Sequence, residues 1–92
     1  MFECYFEGKM VIPSHDAIKD IIRHKIPPNV VNDIIECGEK YKDGKMSRGE
    51  KGLSKRYKKE IVFIKSVPLY SIYYNEEVWV MKHVGKKMEN EK

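Results

Sequence analysis

The chain has 92 residues, 41% hydrophobic and 35% charged, with ten Ile, eight Val and ten aromatics. That is material for one small folded domain; it excludes a multidomain enzyme and a disordered tail. Eighteen Lys and Arg against fourteen Asp and Glu leave a net charge of +4, which permits an anionic partner without demanding one.

There is no apolar run of about 18 residues, so neither a spanning helix nor a membrane partner is expected. Met1-Phe2-Glu3-Cys4 lacks the basic stretch and apolar core of a secretory signal, and the expected address is cytoplasmic. Cys4 and Cys37 show no Cys-x-x-Cys spacing and no His placed to complete a zinc site. They read as reduced thiols. Fifteen Lys with no Gln and no Thr give a composition of the heat-adapted kind.

Phe2 to Ile12 alternates, with Phe2, Cys4 and Phe6 on one side and Gly8-Lys9 as a break. A strand or short hairpin ending at Pro13 is expected. Ser14 then caps a helix, with Asp16 suiting its positive end. Ala17, Ile18, Ile21 and Ile22 form the apolar face. Pro27-Pro28 closes this helix and opens a second, striped by Val30, Val31, Ile34 and Ile35, with Gly38 as the expected left-handed cap. The two helices make a helical hairpin that needs a sheet to cover.

Residues 38–60 hold nine cations against four carboxylates, or +5. Residues 1–37 hold four against six, and residues 61–92 five against four. The 38–60 stretch is expected to be a flexible basic connector. Glu60–Val67, Leu69–Tyr74 and Val78–Val84 read as strands, broken at Pro68 and turned at Asn75-Glu76. A two-residue turn there places Ile72 opposite Trp79 and Tyr70 opposite Met81. Trp79, Met81 and His83 then share one face, and Val78, Val80, Lys82 and Val84 the other. Residues 86–92 are expected to fray. The whole is a single α+β domain over 1–92: an N-terminal strand, a helical hairpin, then an antiparallel sheet of three or more strands, in two layers.

His15, Lys19 and Arg23 succeed one another at roughly 40° around the first helix, as one polar strip. His24 falls on the opposite flank and reads as plain surface. His83 stands on the last strand. No His-x-x-x-His is present, and Gly44, Gly49 and Gly52 lack the strand-to-helix setting of a phosphate cradle, so no metal and no cofactor is expected. In the connector, Lys and Arg suit phosphates, and Tyr41 and Tyr57 suit base stacking.

A strand, Ser14-His15-Asp16-Ala17 opening a helix, Lys19 and Arg23 at four-residue steps, and His24-Lys25-Ile26 leading to a second helix form a recognisable order. It resembles a group of small prokaryotic domains of unknown function, distantly similar to the RelE/ParE-like toxin superfamily. Members of that superfamily are mostly messenger-RNA endoribonucleases or gyrase poisons. The resemblance covers roughly residues 10 to 85. It departs at Lys19, where the group more often has Arg, and in the long Gly/Lys connector. It implies a RelE-like two-layer fold and an antitoxin as protein partner.

The resulting expectation is a metal-independent endoribonuclease acting on RNA. His15 and His83 are its acid and base in unassigned order, and Arg56 and Lys19 stabilise the phosphorane charge. Arg23, Arg48, Lys55, Tyr57 and Lys58 contact the nucleic acid. The mechanism requires His15 and His83 in one cleft. One alternative is a non-enzymatic nucleic-acid-binding module using the 38–60 stretch. Another is a protein-interaction domain anchored by Tyr70, Tyr73, Tyr74 and Trp79.

Overall fold

A computed structural model describes residues 5–42 and 49–88. The N-terminal segment is a hairpin, β1 (Tyr5–Phe6) and β2 (Lys9–Pro13). Glu7 and Gly8 turn it with φ of 53° and 81°, the left-handed pair that a tight primed turn needs and that Gly supplies without steric cost. Ser14 then caps α1 (His15–Arg23), its Oγ accepting the Ala17 N–H at 3.1 Å. At the far end, the Ile26 N–H reaches Ile21 O at 3.0 Å and the Lys25 N–H reaches Ile22 O at 3.1 Å. This is the paired closure of a helix that turns left-handed, here at Lys25 with φ 56°. Pro28 starts α2 (Pro28–Cys37), which buries Val31, Ile34 and Ile35.

Two details of the helices differ from expectation. On α1, Ala17 is buried and Ile21 packs against the core, but Ile18 and Ile22 are 37% and 70% exposed. A nine-residue helix packed mainly against β6 has only a narrow inward face. Gly38 is extended, with φ −71° and ψ 162°, because the chain runs directly into the next strand. Its use is space: a Cβ there would lie 2.4 Å from Ile34 O.

The described parts of the basic stretch, residues 38–42 and 49–60, are mostly sheet. They contain β3 (Glu39–Tyr41), β4 (Lys51–Tyr57) and a tight turn at Lys58-Lys59. β5 (Glu60–Ser71) runs unbroken through Pro68. β4 pairs with it only as far as Ser66, so Pro68 lies where that side of β5 has no neighbour to miss its N–H. β6 (Glu76–Met88) includes residues expected to fray, since Lys86, Lys87 and Met88 pair with Val62, Ile61 and Glu60. The β5–β6 turn occupies residues 72–75, so Trp79 faces Pro68 and Glu77 faces Tyr70.

The six strands lie in the order β1-β2-β6-β5-β4-β3. The sheet is mixed and not purely antiparallel, because β2 runs parallel to β6, with Val11 beside Trp79. A parallel pair needs a long crossover, and the helices with three intervening strands supply it. A bulge between Lys65 and Ser66 leaves Lys82 as an extra residue: Ser66 pairs with Met81, and Lys65 with His83. Trp79, Met81 and Val84 therefore face the helices, and His83 faces away. One added residue in a strand of period two moves every later side chain to the other face.

The sheet curls around the helices until its outer edges meet. Lys40 on β3 pairs with Glu7 of the β1–β2 turn at 3.3 Å, and its ammonium lies 5.8 Å from the centre of the Phe6 ring. Inside, Ile34, Ile64, Met81, Val31 and Val62 are wholly enclosed. A cavity of about 10 Å³ beside Ile35 and Trp79 has room for about one water. That cavity is too small for any ligand larger than water.

Candidate functional site

Among the described residues, no helix covers the face of the sheet opposite the core. Strand register arranges that face in rows. Tyr41, Gly52, Lys65 and His83 stand side by side across β3, β4, β5 and β6. The next row is Glu39, Ser54, Phe63 and Gly85, with Glu39 an exposed carboxylate at the β3 edge, and the next is Arg56, Ile61 and Lys87. Side chains two residues apart on a strand share a face, so the three rows form one surface.

Its centre is aromatic. The half-buried rings of Tyr41 and Phe63 meet edge to face, with centroids 6.3 Å apart and planes at 82°. A Cβ at Gly52 would lie 2.7 Å from the Tyr41 ring, and one at Gly85 would lie 2.5 Å from the Phe63 ring. Glycine at both positions lets the rings settle across the neighbouring strand. Arg56 and Lys87 flank them on one side, Lys65 and His83 on the other. Next to Tyr41 and Gly52, an open cleft of about 240 Å³ is lined by Lys40, Lys42, Glu50 and Lys51 as well.

The site residues expected from sequence separate into three groups. Arg56 and His83 reach this face. His15, Lys19 and Arg23 lie exposed on α1, which runs alongside β6, with Arg23 paired to Asp20. Among the described residues no hydrogen bond or ion pair joins His15 to His83. Lys55 and Tyr57 point to the helix side. Tyr57 packs against the core, and the Lys58 ammonium sits 5.4 Å from its ring centre. Lys55 is held by Asp33 of α2. The hydrogen bond it donates to Asp33, and secondarily the Asp33 charge, raises the Lys55 ammonium above the ordinary lysine range, against an opposing effect of desolvation. Arg48 lies outside the described residues, as does Cys4.

Phe63, Lys65 and Lys87 were absent from the sequence-derived set. Their signal was available: Ile61, Phe63 and Lys65 alternate with the buried Val62 and Ile64.

Among the described residues, no group of three or more His, Cys, Asp or Glu gathers to hold a metal. No helix there is long and apolar enough to cross a membrane. No family model, curated protein or solved structure matches the chain.

Proposed function

We propose that the protein binds single-stranded nucleic acid on the helix-free face of its sheet and does not cleave it. The observation that carries this reading is the register that gathers Arg56, Lys65, His83 and Lys87 around Tyr41 and Phe63. Cations on two sides of an aromatic centre match a backbone of phosphates with bases turned inward to stack. Stacking on a ring is tolerant of base identity, so weak sequence preference is expected. Lys59 at the adjoining turn is a further exposed cation near Arg56. Binding is favoured over cleavage because in-line attack needs an acid and a base around one phosphate. His15 and His83, the pair proposed for those roles, stand on different elements, α1 and β6, and no hydrogen bond joins them.

The test is fluorescence anisotropy with labelled oligonucleotides of about ten nucleotides, RNA and DNA in separate arms. Phe63→Leu keeps an apolar side chain but removes the stacking ring, and should weaken binding about tenfold. His15→Ala and Lys19→Ala should bind like wild type. An absence of binding to either polymer, or an unaffected Phe63→Leu, overturns the proposal. RNA cleavage by wild type and not by His83→Ala overturns its non-enzymatic part and favours the ribonuclease reading.

A further inference from the structure

Beyond the last β4 pair at Ser66 and the last β2 pair at Trp79, β5 and β6 pair only with each other; Val78 there is still buried and Lys9 of β2 still reaches Glu77, and the part beyond these projects as a two-stranded arm. The arm exposes Leu69 at 51%, Tyr70 at 62%, Ile72 at 89% and Tyr73 at 87%. Single exposed apolar residues are ordinary, but a contiguous group on a projecting hairpin marks a contact surface. A bare two-stranded hairpin is also marginally stable by itself.

A second exposed apolar group lies on α1, where Ile18 and Ile22 sit one turn apart beside His15 and Lys19. The two patches have opposite rims. From residue 66 to 81 the only charges are Glu76 and Glu77, whereas on α1 Lys19 follows Ile18 directly, with Arg23 and the exposed Asp16 further round the helix. Lys9 already holds Glu77 and Asp20 holds Arg23, which leaves exposed Glu76 and Lys19 as the matching pair.

One molecule cannot bring its own patches together. The Ser14 N–H bonds Met81 O at 3.0 Å and the Val84 N–H bonds Asp20 Oδ2 at 3.2 Å, so α1 begins beside Met81 and runs away from the arm. The arm tip is about six β6 residues from that point, roughly 20 Å. Tyr70 lies on the same side of the sheet as Trp79, and hence on the helix side. Two copies lying antiparallel satisfy both patches at once and close the assembly.

We infer that the chain self-associates, the β5–β6 arm of each copy packing Ile72 and Tyr73 against Ile18 and Ile22 of its partner's α1. Pro68 withholds an N–H from the open β5 edge, which disfavours edge-to-edge strand pairing as the alternative. The contact leaves the helix-free face of both copies open, so this inference does not depend on the nucleic-acid reading.

Sedimentation velocity across a concentration series tests it on the full chain. Wild type should show a monomer–dimer equilibrium. Ile72→Ser with Tyr73→Ser (arm variant) and Ile22→Glu (helix variant) should each weaken dimerisation about tenfold or more. All altered side chains are solvent-exposed, and circular dichroism checks that each variant stays folded. An equimolar mixture of the two variants should associate more tightly than either alone, because one intact arm then meets one intact helix. A wild type monomeric throughout the series overturns the inference. So does a mixture no tighter than its components, which would indicate arm-to-arm contact, or a monomer whose arm instead drives co-sedimentation with neutral lipid vesicles.

Discussion

Lys25 closes α1 with φ 56°, a conformation in which a Cβ crowds the following carbonyl at a cost of about 1 kcal/mol. Glycine carries no such cost. Lys25→Gly should therefore raise unfolding stability by about 0.5–1 kcal/mol, less than the full strain because glycine also frees the unfolded chain. Urea denaturation with an unchanged slope checks it, and a loss of stability would refute the assignment. Lys55 makes a pH prediction. Its ammonium is raised above the ordinary value of 10.5 by Asp33. The unfolded chain thus loses this proton first as pH rises, and the stabilisation is complete below that value and is lost as pH climbs through the folded one. The stability gap between wild type and Lys55→Met should be flat from about pH 7 to 9 and shrink above about pH 10.5. A gap that widened in alkali would contradict the pairing.

Asp20 decides how an element is seated. Beyond Met81, β2 gives way to α1, and the Val84 N–H of β6 bonds Asp20 Oδ2 of that helix. The other carboxylate oxygen takes Arg23. Asp20→Ala strands a part-buried donor and should cost about 1–3 kcal/mol, a fall in Tm of roughly 4–8 °C per kcal/mol for a domain of this size. Arg23→Ala removes only the exposed ion pair and should cost under about 1 kcal/mol by the same thermal melt. Element identity was legible where a local rule governs it. Ser14 as N-cap, Pro28 at a helix start, and both helices follow from hydrogen-bonding and backbone constraints within one turn of chain. The position of His83 was not legible, since it depends on a bulge opposite Lys65, and nothing adjacent in sequence signals one. Pro68 misled for a related reason. Whether a proline breaks a strand depends on whether a neighbour needs its N–H, and that is set by where β4 ends. Of the candidate site, Arg56 and His83 were identified as residues, but the face they share with Phe63 and Lys65 exists only through cross-strand register.

At the scale of the molecule, the net charge of +4 conceals a charge axis. β5 and β6 form one long ladder. At one end Glu60 pairs with Met88, near Arg56, Lys58, Lys59, Lys86 and Lys87; at the other Ser71 pairs with Glu76 beside Glu77. Twelve residues of strand span about 40 Å, comparable with the longest dimension of 42 Å. The described cations of β4 and its turn to β5 thus form a positive pole fixed in a sheet, with the acidic arm at the opposite end. This separation predicts which charges govern binding. If Arg56, Lys65 and Lys87 each neutralise one phosphate, counterion release gives a slope of log affinity against log salt of about −2, at roughly 0.7 per contact for a single strand. Lys65→Ala should make that slope shallower by about 0.7, and Lys87→Ala by a similar amount. Glu76→Gln should leave it unchanged, because Lys65, six β5 residues from the Ser71–Glu76 pair, already lies about 20 Å away, twice the screening length of about 10 Å. Anisotropy titrations from about 50 to 200 mM salt measure all four slopes. A wild-type slope near zero, or a Lys65→Ala slope equal to wild type, would mean that phosphates do not contact this face.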